Sequence, residues 1–258
     1  MPSPGLALVT GASAGIGRAY ARQLAARGYD LLLVARDADR LAALCTELGQ
    51  AHGVQAEALV ADLSDAAGIA AVAARVRAEP RLAVLVNNAG FGTRGVIGAA
   101  DPDGQARMLR LHVQAVHELT QAAVPGMRER RRGWIITVAS VASWVPALGN
   151  VNYNSTKAYQ RMYCEALALE LAGSGVHVHS VCPGFTYSEF HDRLGTGRAG
   201  LPQWSFLPAE RVVRESLAHA AANGGPVLVP GTRWKVLSFV ARNFLWMLGP
   251  LRQRYRRD

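Results

Sequence analysis

The chain has 258 residues, of which 50% are hydrophobic and 18% charged, enough for one large domain with a substantial buried core, and this excludes disorder as its main state. Its 26 glycines and 12 prolines follow no short period, which excludes collagen-like and low-complexity architectures, and the three cysteines, Cys45, Cys164 and Cys182, are too widely spaced for a disulfide framework or a zinc site. The formal net charge of +9 comes almost wholly from arginine, because Lys157 and Lys235 are the only lysines; the arginines are spread along helical stretches and gather only at Arg252, Arg254, Arg256 and Arg257, which argues against nucleic acid as a partner.

In chain order, short apolar runs alternate with longer stretches of helical period. The predicted strands are Leu6 to Thr10, Leu31 to Ala35, Val54 to Val60, Leu82 to Val86, Trp134 to Ala139, Val176 to Val181 and Val227 to Val229. The predicted helices are Gly15 to Arg27, Asp37 to Ala51, Ser64 to Ala78, Asp101 to Arg130 and Tyr153 to Ala172. Strands that read as continuous apolar runs are buried on both faces, and their alternation with helices predicts an α/β fold: a Rossmann-like, doubly wound parallel sheet. No linker or repeat divides the sequence, so residues 1–258 read as a single dinucleotide-binding domain. Within it, 184–208 reads as a substrate loop, being long, aromatic and weakly periodic, and 232–258 as an apolar and then basic C-terminal segment.

The first strand runs into Thr10-Gly11-Ala12-Ser13-Ala14-Gly15-Ile16-Gly17, followed at once by a helical stretch. Glycines in such a turn let backbone approach a pyrophosphate, and the helix aims its N–H groups and positive end at the same anion. The spacing is one residue looser than G-x-G-x-x-G. At the end of the second strand a carboxylate suits an NAD ribose and a basic residue a 2'-phosphate; here Arg36 is the better-placed reader, while Asp37 can equally cap the next helix. Tyr153 and Lys157 stand four apart on one helical face, where an ammonium favours the phenolate of its neighbour. Ser140 ends the fifth strand, at the edge of the sheet from which the helix carrying Tyr153 starts.

These residues together resemble the short-chain dehydrogenase/reductase family, over nearly the whole chain. The matches are the Gly11, Gly15, Gly17 turn, Asp62-Leu63, Asn87-Asn88-Ala89-Gly90, Ser140, Tyr153-Asn154-Ser155-Thr156-Lys157 and Pro183-Gly184, in the family's order. Val34-Ala35-Arg36-Asp37, Leu169-Glu170-Leu171, Cys182-Pro183-Gly184-Phe185-Thr186 and Val229-Pro230-Gly231 are most similar to its NADP-dependent branch. The resemblance implies NADP(H) as cofactor, Tyr153 as the residue exchanging a proton with the substrate oxygen, Ser140 holding that oxygen, and Lys157 lowering the Tyr153 pKa while bonding the nicotinamide ribose. It also implies Asp62 and Leu63 beside the adenine, Asn87 to Gly90 along the cofactor, Pro183 and Gly184 nearby, and Ser188 or Thr186 against the carboxamide. There is one departure: where the family commonly has an asparagine of a proton relay through water, this chain has His112, expected here as a neutral imidazole that holds the relay water near Lys157.

The resulting expectation is hydride transfer between NADP(H) and a small-molecule carbonyl or secondary alcohol. The alternatives are a nucleotide-binding protein with little catalysis and a same-fold epimerase or dehydratase. Trp144, Phe185, Phe190, Trp204 and Phe206 are expected to face the site and favour an apolar substrate. The run Gly5 to Val9 is too short for an export signal, and Val236 to Leu251 is interrupted by Arg242 and Asn243 and is too short to span a bilayer, so the expected location is cytoplasmic. The segment Trp234 to Leu251 is expected to pack on the body or on another subunit of a homodimer or homotetramer in preference to a membrane surface, with no metal involved.

Overall fold

A computed structural model describes residues 4–93, 95–187 and 205–244 of the chain. Seven strands form one sheet in the order β3-β2-β1-β4-β5-β6-β9, each pair parallel. They are β1 (Leu6–Thr10), β2 (Asp30–Ala35), β3 (Ala56–Val60), β4 (Leu82–Asn87), β5 (Gly133–Val138), β6 (Val176–Val181) and β9 (Val227–Leu228). Helices α1 (Gly15–Ala25), α2 (Ala38–His52), α3 (Ala66–Arg77), α4 (Pro102–Leu109), α5 (Ala115–Glu129), α6 (Val151–Glu170), α7 (Ala209–Ala221) and α8 (Thr232–Phe244) complete the described fold. The expected doubly wound parallel sheet is thus present.

Alternation along each strand creates two cores. Ala7, Val9, Leu31, Leu33, Val84 and Val86 point to one face, where they meet α1, α2 and α7. Leu6, Leu8, Leu32, Val34 and Leu85 point to the other, against α3, α5 and α6. Both-face burial holds for β1 and β2 but not for β3, the sheet's edge, where Val60 is exposed and only two of the five residues are even partly buried.

Two local features depart from simple periodicity. The predicted helix Asp101 to Arg130 is α4 and α5 joined by a π-helical turn, Arg110–Gln114, which places His112 in the widened turn. Beyond β6, β7 (Thr186–Tyr187) and β8 (Leu207–Pro208) pair as a small parallel ladder that brings together the two ends of the expected substrate loop. Residues 188–204 of that loop, including Ser188, Phe190 and Trp204, lie outside the described residues.

A polar seam runs between α1, β6 and α7. Tyr20 donates to Ser216 Oγ at 2.6 Å, and His179 Nε2 lies 3.0 Å from the same oxygen. His179 Nδ1 is 3.1 Å from His177 Nε2, and the His177, His179 and His219 rings stand 5.1 to 6.1 Å apart. Burial holds the His179 imidazole well below its usual pKa, and the neighbouring histidines add to this. His112, in the other half of the molecule, is held neutral for the same first reason.

The unfolded chain takes up protons at these imidazoles near pH 6.5 and the folded chain does not. Their stabilisation is therefore complete above that pH and falls away as the pH drops towards the depressed folded values. Thermal melts should show stability falling by on the order of 1 kcal/mol per pH unit below about pH 6.5 for each of His112 and His179. His179→Gln should flatten the slope. A melting temperature independent of pH between about 7.5 and 5.5 would contradict this account.

Candidate active site

A cleft of about 1460 Å³ opens at the carboxyl edge of the sheet, where β1 and β4 lie side by side and the strand order reverses. Gly11, Ser13, Ala14, Gly15 and Ile16 form one wall. Gly11 (φ 65°) and Gly15 (φ 53°) adopt left-handed backbone that an L side chain would strain, and this turns the chain sharply from β1 into α1. The N-cap of α1 is Ala14, which makes no side-chain cap, and no acid occupies the first turn, so the helix presents its N–H donors and positive end to the cleft. Gly17 stands behind this wall. A Cβ there would run into the Gly11 carbonyl and the Asn88 amide, so its role is to let α1 close on the turn.

That turn is braced from β4. Thr10 Oγ1 donates to Val86 O at 3.2 Å and accepts from the N–H groups of Asn88 (2.9 Å) and Ala89 (3.0 Å), while Asn88 Nδ2 donates to Thr10 O at 2.8 Å. Asn87 turns away, to Thr120 Oγ1 at 3.2 Å. Ala89 and Gly90 continue along the cleft floor. The uncapped helix end and glycine wall fit a dinucleotide pyrophosphate.

At the far end of the cleft Asp37 acts as a cap, accepting from Arg40 N at 3.0 Å, which leaves Arg36 facing the cleft with its side chain 60% exposed and 3.8 Å from Asp62. Asp62 accepts from Ser64 Oγ (2.6 Å) and Ser64 N (2.8 Å) and pairs with Arg107 at 3.3 Å. Burial pushes its carboxyl up, but the Ser64 bonds and then Arg36 and Arg107 outweigh that and hold it below the usual carboxylate range. Leu63 packs beside it. Arg107, which lines the same end, escaped the sequence reading, where it is one of many arginines at helical spacing.

At the near end, Ser140 follows β5 and caps the single 3₁₀ turn Val141–Ser143, its Oγ accepting from Ala142 N at 3.1 Å. Its hydroxyl also bonds the Tyr153 phenol. The Tyr153 ring is half-buried with one side on the cleft, and desolvation by the surrounding protein pushes its pKa up to about 12, with Ser140 offsetting part of the rise. Lys157, one turn further along α6, is buried. Its Nζ donates to Val138 O and Gln160 Oε1, both at 2.9 Å, and lies 5.8 Å from the Tyr153 ring centre. Burial lowers its pKa to about 7. In this geometry burial, rather than the neighbouring ammonium, has the largest effect on the phenol.

His112 does not offer its ring to Lys157. Thr156 Oγ1 gives its proton to the Tyr153 carbonyl at 2.9 Å, so His112 Nδ1, 2.9 Å from that oxygen, must carry the hydrogen they share; Nε2 then has the lone pair that accepts from Phe91 N–H at 3.3 Å. The expected water-holding imidazole is replaced by one with both nitrogens engaged, and burial first, then Lys157, keeps it neutral. It is the backbone carbonyl of His112 that connects towards Lys157, by accepting from Gln160 Nε2 at 2.9 Å.

Pro183 and Gly184 line the cleft beside Thr186, whose Oγ1 donates to Gly184 O at 3.1 Å. Phe185 and Trp234 lie at the mouth, ring centres 5.6 Å apart, and Phe206 supports Phe185 from behind, also at 5.6 Å. Trp144 is not in the cleft wall as expected; it carries the Arg161 guanidinium over its ring at 5.1 Å.

The sequence matches the short chain dehydrogenase family over residues 5–199. The chain belongs to this family. It is 35% identical over 237 residues to an uncharacterized oxidoreductase of Bacillus subtilis (strain 168), covering 85% of this chain and 97% of the relative. It is 34% identical to a 3-oxoacyl-(acyl-carrier-protein) reductase of Escherichia coli (strain K12), covering 84% and 88%. A short-chain dehydrogenase from Sphingobium yanoikuyae in complex with NADPH superposes with a TM-score of 0.84 at 34% identity, covering 94% of this chain and 95% of that one. The bulky-bulky ketone specific alcohol dehydrogenase from Comamonas testosteroni superposes at 0.79 with 29% identity, covering 94% of each.

For this short-chain dehydrogenase the residue most completely missed in the sequence is Gln160, a buried amide whose two ends satisfy Lys157 and His112. Gln160→Leu removes one of the two acceptors of the buried Lys157 Nζ and the side-chain donor to the His112 carbonyl, and should cost about 1–3 kcal/mol in chemical denaturation. It should also lower the Lys157 pKa further. Gln160→Glu supplies a carboxylate and should raise it. Unchanged stability in the leucine variant would remove Gln160 from the site.

Proposed function

We propose that this short-chain dehydrogenase transfers hydride between NADP(H) and the carbonyl or secondary-alcohol carbon of an apolar substrate, with Tyr153 as general acid and base. The observation that carries the reading is the Tyr153 phenol, bonded to Ser140, in the same cleft as the glycine turn and the uncapped end of α1. The nicotinamide, when bound, supplies or accepts the hydride. Everything else is done by the chain.

Ser140 Oγ and Tyr153 Oη together form a polar point in the cleft wall, where a carbonyl oxygen can accept from both. Burial keeps the phenol protonated well past neutral pH, so the donor form needed for carbonyl reduction dominates there. Alcohol oxidation needs the phenolate instead. Two of the three Lys157 N–H bonds point to Val138 and Gln160, and the third is left for a ribose hydroxyl. A cation fixed in this way stabilises developing phenolate charge in a desolvated site. His112 serves as a positioning residue, holding Thr156 and through it the Tyr153 backbone.

Arg36 is suited to a 2'-phosphate because its pairing with Asp62 is long and exposed, hence weak, and its fork is free to turn into the cleft. The aromatic mouth suits a bulky apolar carbonyl. The relatives' names, a bulky ketone dehydrogenase and a 3-oxoacyl reductase, agree with a ketone.

The test is consumption of NADPH by the purified protein against ketones graded in size, followed by the loss of reduced-nicotinamide absorbance. Tyr153→Phe should leave no more than roughly one per cent of turnover while still binding NADPH. Lys157→Ala should damage both. An active phenylalanine variant would sink the assignment, and binding without turnover in the wild type would favour a nucleotide-binding protein.

Arg36→Asp should raise the KM for NADPH by about 10- to 100-fold while leaving that for NADH nearly unchanged. Equal changes would remove Arg36 from cofactor choice. In steady-state pH profiles, alcohol oxidation should accelerate with pH across the alkaline range as the phenolate fraction grows, while ketone reduction should stay level from neutral pH and slow only in strongly alkaline solution.

A further inference from the structure

Two guanidinium groups from different elements converge on one oxygen at the far end of the cleft. Arg36 follows β2 and Arg107 stands in the last turn of α4; their Nη1 and Nη2 atoms lie 3.8 Å and 3.3 Å from Asp62 Oδ2. The other oxygen of that carboxylate, Oδ1, is occupied by Ser64, whose N–H and hydroxyl both donate to it. Asp37, the other acid in the cleft wall, is taken up by Arg40, whose N–H it caps and whose guanidinium it meets at 3.3 Å. A single carboxylate oxygen thus faces two cations. It offsets the charge of only one, and the two repel each other.

The two arginines are held differently. Arg36 makes the long contact to Asp62 with its side chain 60% exposed. Arg107 is set in place, because its Nε donates at 3.1 Å to the same Ser64 hydroxyl that donates to Asp62, and Arg110 holds the Ser64 carbonyl at 3.5 Å. Of the Arg107 fork, Nε and Nη2 are engaged and Nη1 remains for a group in the cleft. A phosphate monoester suits this arrangement. It brings close to two negative charges and three acceptor oxygens, and takes charge-assisted bonds of about 2.7–2.9 Å from two forks at once. A ribose hydroxyl brings no charge and would leave both guanidinium groups to Asp62.

We propose that Arg107 is the second arm of a clamp on the 2'-phosphate of NADP(H), with Arg36 as the first, and that Asp62 Oδ2 is the counter-ion that keeps the two forks gathered until the phosphate arrives. The clamp rests on NADP(H) being the cofactor and adds a specificity-determining residue to that choice. Arg36 turns to the phosphate from the exposed side, and Arg107 meets it from a fixed position.

The experiment is calorimetric titration of the full chain with adenosine 2',5'-bisphosphate, adenosine 3',5'-bisphosphate and adenosine 5'-monophosphate, a readout that needs no turnover. The two bisphosphates carry the same charge, so a positioned clamp separates them and a diffuse positive field does not. The wild type should bind the 2',5' compound about 10-fold or more tightly than either of the others. Arg107→Gln should weaken the 2',5' compound about 10-fold and change the monophosphate by no more than about twofold. Arg107→Lys, which keeps the charge and loses the fork, should fall between. Both variants should melt close to the wild type, because the Arg107 pairing with Asp62 is half-exposed. A wild type indifferent to the 2'-phosphate would overturn NADP(H) as the cofactor, and the clamp with it. A preference lost in Arg36→Gln but kept in Arg107→Gln would overturn the clamp alone. So would an Arg107→Gln variant that weakens all three nucleotides alike, which would make Arg107 a support for the adenosine.

Discussion

A buried ammonium governs the arrangement around it. Taking Lys157 out of water is costly unless its hydrogens find acceptors, and the two that they find come from different parts of the chain: the Val138 carbonyl ends β5, and Gln160 leads on to the carbonyl of His112. Strand β5, helix α6 and the π turn are therefore linked to one another through two side chains, Lys157 and Gln160. The acceptors do not fully repay the burial, since the Lys157 pKa falls to about 7. The same enclosure raises Tyr153 and lowers His112, so three adjacent groups are each pushed towards the neutral form. Such clustering of burial-driven shifts in a cleft is what proton-transfer chemistry requires, because a group that resists charging holds its proton until a reacting partner compensates.

The nucleotide side is organised by hydrogen bonding instead of charge. Thr10 and Asn88 connect the ends of β1 and β4, the two strands between which the sheet changes direction, and so the glycine turn is held from a neighbouring strand as well as by its own helix. Charge returns only at the far end, where Asp62 is held ionised between Arg36 and Arg107. The cleft is thus polar and donor-rich at one end and aromatic at the other, with Tyr153 between them.

How far this was legible in the sequence follows from the physics of each part. Parallel strands buried on both faces write themselves as unbroken apolar runs, which is why Leu6–Thr10 coincides with the observed element to the residue. Val176–Val181 coincides as well, although His179 and Ser180 put buried polar groups among its valines. Helix α7 is harder to see, since half of its buried stripe is Ala209, Ser216 and Ala220, which carry little hydropathy. Two-residue ladders such as β7 with β8 have no period at all. In the site, glycines and the Tyr153, Lys157 pair are visible because their spacing is local. Gln160 is not, because a polar residue inside a helix reads as solvent-facing until the partner that buries it is known.

The π turn is the least legible element and follows from the same contacts. One residue added to a helical turn leaves hydropathy almost unchanged, yet it takes a carbonyl out of the regular ladder: Ala115 N–H reaches back five residues to Arg110 O. Gln160 Nε2 donates to the carbonyl of His112 within this turn, and Thr156 Oγ1 meets the ring of the same residue. The irregularity in α4–α5 is thus joined to α6 by two buried polar residues, whose partners would be lost if the turn moved. Thr156 carries the connection on to the Tyr153 carbonyl, so the backbone that positions the phenol is tied through one hydroxyl to the π turn.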